Sequence, residues 1–445
     1  MKRRLRLELA GAQGPGEVAR EVRKRLSTIA RSRSFVDWTK RKVLVDDLAT
    51  QLRAIVEQVA RHDPAEAQDL TWRFLALANS IFDRCDDSSG TVIGIFHGAC
   101  EVLGEIAEAV TTDPATLADQ AFRALQENHH GQYDDLILVL APALRREGLD
   151  HLKERMAALS NAPVEAPEQE DREVIGWSSS GPIYADEMAE HSRVSTVRLA
   201  LKQIADAQGD VDAFIAQYDD KSRSAPRIAA EIAQRLLAAG RVDEAWEAVT
   251  AVDDKRSRWP EFEWEIAHID VLEALGRADD AQAMRWSYFE RSLSTAHLRA
   301  YLKHLPDFDD VEAEERALAF ATTYPNIHQA LAFLISWPAL EKAASLVLQR
   351  STELDGDHYE ILTPAVNAVS GKHPLAATLI LRAMIDFSLS RARSSRYRHA
   401  ARHLAECESL AAEVRNFGDL ETHELYVARL KKLHGKKRSF WNLVM

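Results

Sequence analysis

The sequence predicts an all-α protein in two parts, a helical N-terminal domain followed by an α-solenoid of stacked helical hairpins. Three observations carry that reading. Glycine (18) and proline (14) are scarce among 445 residues and aromatics make up only 7%, so good helix formers fill the chain. Apolar residues recur every three or four positions instead of alternating. Two short stretches, Ala239-Gly240-Arg241-Val242-Asp243-Glu244-Ala245 and Leu275-Gly276-Arg277-Ala278-Asp279-Asp280-Ala281, are near copies 36 residues apart. A unit repeated at that period marks a stack in which neighbouring hairpins bury each other's apolar faces.

Taken in order, Pro15 and Gly16 precede a helix from Glu17 to Arg31. Asp46-Asp47-Leu48 leads a second through Leu52, Ile55, Val56 and Val59, and Pro64 restarts a third through Leu70, Phe74, Leu75 and Leu77 to Ile81. The loop Asp86-Asp87-Ser88-Ser89-Gly90 ends it. Helices over Val92–Val110, 114–128 and 132–145 complete a first domain, 1–159. From 160 to 192 the pattern breaks: Pro163, Pro167, the acidic run Glu168-Gln169-Glu170-Asp171 and Ser178-Ser179-Ser180-Gly181-Pro182 are linker chemistry. That segment is the expected domain boundary.

Hairpins resume in a repeat domain, 193–434. Helices at 194–207 and 210–217 lead into the pairs 227–239 with 242–252 and 262–275 with 278–292. Further helices fit 294–304, 309–323, 326–335, 339–352, 357–370, 374–391, 395–415 and 420–433. Pro306, Pro325, Pro338, Pro364 and Pro374 fall mostly near the junctions. The tail, 435–445, is basic and then aromatic, ending through Phe440 and Trp441, and is expected either to pack on the last hairpin or to stay loose.

The repeated turns resemble the tetratricopeptide repeat, in which a glycine closes the first helix and small residues let two helices cross closely. Gly240, Val242 and Ala245 match that pattern, as do Gly276, Ala278 and Ala281; Tyr397 and Ala400 repeat its last two positions with Ser395 in the glycine's place. Glycine suits the left-handed turn. The other hairpins lack the pattern, so the resemblance implies a tetratricopeptide-like stack and not a regular array.

Along nearly its full length the chain resembles a bacterial family of unknown function, some of whose members carry an upstream SWIM-type zinc finger. The stretches that carry the resemblance are Arg33-Ser34-Phe35-Val36-Asp37-Trp38, Asp83-Arg84-Cys85-Asp86-Asp87-Ser88-Ser89-Gly90, Tyr301-Leu302-Lys303-His304-Leu305-Pro306-Asp307-Phe308-Asp309-Asp310 and Arg391-Ala392-Arg393-Ser394-Ser395-Arg396-Tyr397-Arg398-His399-Ala400. It implies no activity. No CxC…CxH zinc module is in this sequence, so no finger-based function carries over, and the abrupt opening at Met1 suggests that a segment preceding it in longer relatives is absent.

Charge is uneven. Residues 1–61 hold 15 Lys and Arg against 7 Asp and Glu, a surplus of 8 in a chain whose net charge is −13. Those helices are the expected anion-facing surface, with Arg23, Lys24, Arg25, Arg31 and Arg33 as candidate nucleic-acid contacts. The plainer reading is that such a basic face pairs with acidic neighbours. Phe35 and Trp38 add aromatics of the kind that stack on bases, but their spacing of three equally describes a buried helical stripe, and the core reading is preferred.

The second candidate site is the arginine-rich stretch holding Arg391, Arg393, Arg396, Tyr397, Arg398 and Arg402. Forked guanidinium groups there could grip a phosphate or an acidic peptide; alternatively they bond helix-end carbonyls and nearby carboxylates. His399 and His403, four apart, share one helix face, without an evident third metal ligand. The loops with Asp83, Asp86 and Asp87 and with Asp307, Asp309 and Asp310 lack calcium-loop spacing and are better read as helix caps. Neither a nucleophile elbow, a zinc-protease motif, a phosphate loop nor a dinucleotide fingerprint is present.

The sequence thus points to a non-catalytic scaffold that binds a protein or peptide, with no metal and no cofactor. Nucleic-acid binding by the basic N-terminal helices is the alternative, and a metal-dependent hydrolase the remotest reading. Lone cysteines without CxxC pairing fit a reducing cytoplasm, and without a run of about 18 apolar residues no membrane partner is expected.

Overall fold

A computed structural model describes residues 2–163, 172–179, 181–252 and 261–444. Among the described residues the chain is all-α apart from one short hairpin, and it divides into two compact units, Met1–Gly240 and Arg241–Met445. Among the described residues no helix is long and apolar enough to cross a membrane.

The first unit begins with α1 (Lys2–Gln13), α2 (Pro15–Ala30) and α3 (Trp38–Ala54), which runs into a π-helical turn at Ile55–Val59. Then come α4 (Pro64–Leu75), α5 (Ala78–Phe82), α6 (Thr91–Ala109) and α7 (Pro114–Gln126). Their starts follow ordinary capping chemistry. The Asp37, Asp63 and Asp113 carboxylates accept from first-turn amides of α3, α4 and α7, and Pro15, Pro64 and Pro114 occupy positions where no amide is needed. Leu48, Ile55, Leu70, Phe74, Ile81, Phe96 and Leu103 form the centre of the core, with the Phe74 and Phe96 rings 5.5 Å apart.

α8 (Leu136–Asn161) crosses α6 at Gly104, where a Cβ would lie 2.6 Å from the Val139 carbonyl oxygen. The helix expected over 132–145 ends at a kink within α8, where Arg145 leaves helical geometry at φ 54, three residues after Pro142. Beyond it the chain forms β1 (Val174–Ser178) and β2 (Gly181–Tyr184), an antiparallel pair with Trp177 opposite Pro182. The expected linker therefore contains a hairpin; Pro167 and the run Glu168–Asp171 lie outside the described residues.

α9 (Ala185–Gln208) packs on α7 and α8, and α10 (Val211–Ile215), α11 (Asp220–Arg223) and α12 (Pro226–Ala238) close the unit. The first unit thus continues well past the boundary expected at 160–192. The cause is apolar: Val197, Ala200 and Ile204 of α9 join the same core as Leu152 and Met156 of α8.

The second unit runs through α13 (Val242–Thr250), α14 (Phe262–Ala274), α15 (Ala278–Ser292), α16 (Thr295–Lys303), α17 (Asp309–Thr323), α18 (Ile327–Ser336) and α19 (Leu340–Arg350). α20 (Tyr359–Val369), α21 (Pro374–Ser390), α22 (Tyr397–Ala411), α23 (His423–His434) and α24 (Arg438–Val444) follow. The repeated turns share their local geometry. Gly240 and Gly276 take φ 73 and 72, Ala245 and Ala281 are fully buried, and Arg241–Glu244 and Arg277–Asp280 each pair at 2.7 Å through the guanidinium Nε. Pro364 lies inside α20 and not at a junction. The tail forms α24, whose buried Phe440 ring packs edge-on against Tyr397.

A buried acid anchors the α14–α16 region. Glu265 accepts from His297 Nε2 at 2.7 Å and also bonds Arg291. Burial alone pushes the Glu265 carboxyl up, but these two partners outweigh it and hold it below the ordinary carboxylate value.

Candidate functional site

The C-terminal helices α20, α21 and α22 enclose the most distinctive chemistry of the chain. Two features of sequence build it. The turn after α21 contains no glycine, so Ala392 itself takes the left-handed conformation at φ 52, at a cost of about 1 kcal/mol, and the chain re-enters α22 through a 3₁₀ turn at Ser394–Arg396. Before α20, Gly356 lies on the backbone of α21: a Cβ there would overlap the Ala383 carbonyl and sit 2.7 Å from the Met384 Cα. Only glycine allows that approach. A cavity opens on either side of it.

The first, of about 420 Å³, is lined by Gly356, Tyr359, Thr363, Met384, Ser388, Ser395, Arg396, His399, Arg402 and His403. Its wall contains two guanidinium groups and two imidazoles, and not one carboxylate. Arg402 Nη2 donates to His399 Nδ1 at 3.0 Å, which leaves the proton of a neutral His399 on Nε2. Arg396 lies over the Tyr359 and Phe387 rings at 4.8 and 5.5 Å and donates to Asp357 Oδ1 at 2.7 Å. The His403 Nδ1 has no hydrogen-bond partner, the Glu406 carboxylate being 3.8 Å away. Burial, reinforced by Arg402 and His399, pushes the His403 imidazole down to about 4.

The second cavity, of about 690 Å³, mixes charges of both signs: Arg382, Arg391 and Arg429 face Glu353, Asp355, Asp386 and Glu421. Arg429 donates through Nε to both Glu421 carboxylate oxygens at 3.0 Å and through Nη2 to Asp386 Oδ2 at 3.1 Å. Tyr426 donates its hydroxyl to Asp386 Oδ1 at 3.1 Å. The buried Arg382 donates to the Glu421 carbonyl at 2.8 Å and lies 4.5 Å from the Tyr426 ring centre, and burial lowers its pKa.

The arginine-rich stretch is therefore dispersed. Arg396 and Arg402 line the basic cavity and Arg391 lines the mixed one, while Arg393 and Arg398 are exposed and belong to neither wall. Tyr397 is core, only 5% exposed, so its place among the binding residues is corrected: it opens α22 on the face turned toward Phe440. Gly356, Arg382 and Ser388 were not anticipated. A lone arginine within Leu379-Ile380-Leu381-Arg382-Ala383-Met384-Ile385 was the available signal for a buried cation.

At the N-terminal candidates, carboxylates of the same unit occupy the central cations. Arg23 donates to Glu66 at 2.5 Å and Asp69 at 3.3 Å, Arg25 donates through Nε to Asp47 at 3.0 Å, and Lys24 lies 3.6 Å from Glu21. Arg31 bonds the Ser27 carbonyl, and both Arg31 and Arg33 are exposed. Phe35 and Trp38, expected in the core, are 62% and 73% exposed. The reason is local: the chain before Trp38 is not helical, Val36 bridges to Cys85, and Val36 instead packs on the core. Asp87 caps α6 through the Val92 and Ile93 amides, and Asp310 accepts from the Val311 amide. Among the described residues no group of three or more His, Cys, Asp or Glu is placed to hold a metal ion.

No curated protein matches the sequence. The chain belongs to a family of unknown function (DUF6880), matched over residues 1–443.

Proposed function

We propose that this member of the family is a cytoplasmic, non-catalytic scaffold whose C-terminal unit, a tetratricopeptide-like stack, binds an acidic segment of another protein. One observation carries the reading: the cavity between α20, α21 and α22 brings Arg396, Arg402, His399 and His403 to a wall without a carboxylate. Such a wall repels cations and attracts an anionic group, which the protein itself provides only to Arg396, through Asp357. The test is fluorescence anisotropy with a labelled Glu-rich peptide at two salt concentrations. Binding that Arg402→Glu and Arg396→Glu reduce at least tenfold supports the proposal; equal binding by the wild type and both variants removes it.

A second reading, nucleic-acid binding by the first unit, is favoured by the exposure of Phe35 and Trp38 beside Arg31 and Arg33. Exposed rings flanked by cations suit single-stranded bases and their phosphates. This moves the nucleic-acid candidates from the paired Arg23 and Arg25 to residues 31–38. Gel shifts with a single-stranded oligonucleotide should then show steep salt dependence and lose affinity with Trp38→Ala and Arg33→Glu. Retention of binding in both variants would remove it.

A further inference from the structure

We propose that the basic cavity is a phosphomonoester site, in which Arg402 and Arg396 clasp a phosphate dianion and His399 and His403 donate to its remaining oxygen. The inference rests on the acidic-partner reading and narrows it to one chemical group. Its first support is the excess of donors. Two guanidinium forks and two imidazoles converge on one wall, whereas a carboxylate offers a single charge and two oxygens. A phosphomonoester brings nearly two charges and three terminal oxygens.

The second support is what these donors lack at present. Arg402, which is exposed, bonds His399 Nδ1 and no carboxylate, and His403 Nδ1 is buried without a hydrogen-bond partner. The two nearest carboxylates are already placed: Asp357 holds Arg396, and Glu406 stands beyond hydrogen-bond reach of His403. In the mixed cavity, by contrast, Asp386 and Glu421 bracket Arg429 directly. An anion there would meet fixed negative charge.

The third support is shape. The volume of about 420 Å³ is far larger than a phosphate needs, and Gly356, Tyr359, Thr363 and Met384 add uncharged lining to it, the Tyr359 ring lying 4.8 Å from the Arg396 guanidinium. That lining suits the organic body of an ester, with the half-exposed Tyr359 ring as a surface against which it can lie. A bare inorganic anion would leave this space unfilled.

The experiment is isothermal titration of the full chain with inorganic phosphate, O-phosphoserine, an acidic peptide carrying phosphoserine, and the same peptide with glutamate in its place. The expected result is saturable binding of both phosphoserine ligands, at least tenfold tighter than the glutamate peptide, and reduced at least tenfold by Arg402→Ala. Arg402→Lys keeps the charge without the fork and should recover only part of the affinity. A phosphopeptide preferred over O-phosphoserine assigns the phosphate to a partner protein; equal affinities assign it to a small phosphorylated ligand. Equal binding of the glutamate and phosphoserine peptides overturns the phosphate inference while leaving the acidic-partner reading in place. No binding of any of the four overturns both. Arg402 is exposed, and an unchanged circular dichroism spectrum shows that its variants fold.

Discussion

The two cavities beside Gly356 both use guanidinium groups and share helix α21, yet they differ in kind. In the mixed cavity, Arg429 is bracketed by Glu421 and Asp386, and Arg382 by a carbonyl and an aromatic ring. In the basic cavity, Asp357 holds Arg396, Arg402 donates to His399 Nδ1, and His403 Nδ1 has no hydrogen-bond partner, with Glu406 3.8 Å away. The mixed cavity supplies its own carboxylates to Arg429, although Arg382 keeps its Nε and Nη2 buried without hydrogen-bond partners; in the basic one Asp357 reaches Arg396 but no carboxylate bonds Arg402. The number of arginines in a stretch of sequence is thus a poor guide to binding. What matters is which of them the fold supplies with a carboxylate, as it does Arg429 and Arg396 but not Arg402.

The largest test of this contrast removes the wall that both cavities share. Gly356→Ala drives a Cβ into the Ala383 carbonyl, which has no flexible side chain to move aside. Overpacking against backbone costs up to about 3 kcal/mol, so urea unfolding should show a lowered midpoint, and phosphoserine binding should fall with it. An unchanged midpoint would show that the loop can stand off α21 freely, and the two cavities would lose their common origin.

A smaller effect should separate the two sites. Arg429→Ala leaves Asp386 and Glu421 near each other without their cation. Both carboxylates are about a third exposed, so water offsets part of the loss, and the expected destabilisation is about 1–2 kcal/mol. Phosphoserine affinity should stay within about twofold of the wild type, because Arg429 lines only the other cavity. A parallel loss of binding would mean that the two cavities act as one.

Much of the fold was legible in the sequence, because helix signals are local. Prolines at helix starts, capping aspartates and the three-to-four periodicity place α2, α6 and α7 closely and fix the start of α4, whose expected run to Ile81 breaks after Leu75. The unit boundary was not legible: Val197, Ala200 and Ile204 look like any amphipathic stripe, and only tertiary packing shows that their partner is α8. Of the site, His399 and His403 on one helix face were readable from their spacing, but the inward turn of Tyr397 depends on Phe440, 43 residues on. Phe35 and Trp38 failed for the opposite reason. Their helical spacing falls across a non-helical entry segment, so the period had no helix to act on.

The smallest predicted effect is also the most specific to the basic cavity. With its imidazole pushed down to about 4, His403 is neutral in the empty site near neutral pH. Burial holds it there, with Arg402 and His399 of α22; α21 presents Ser388 and Met384, α20 presents Tyr359 and Thr363, Arg396 is the other cation of the lining, and the Glu406 carboxylate stands 3.8 Å away. A bound dianion favours the protonated ring and raises its pKa, so binding takes up a proton and affinity must increase as pH falls toward 5. Sulfate is the suitable probe, since it stays a dianion over this range while a phosphomonoester titrates near pH 6. Between pH 7.5 and 5.5 sulfate affinity should rise about threefold, or roughly 0.7 kcal/mol. His403→Gln should flatten that rise while leaving binding at pH 7.5 nearly unchanged. If the wild-type and His403→Gln profiles superimpose, the anion does not meet His403, and the basic cavity's wall is no more a binding surface than its mixed neighbour.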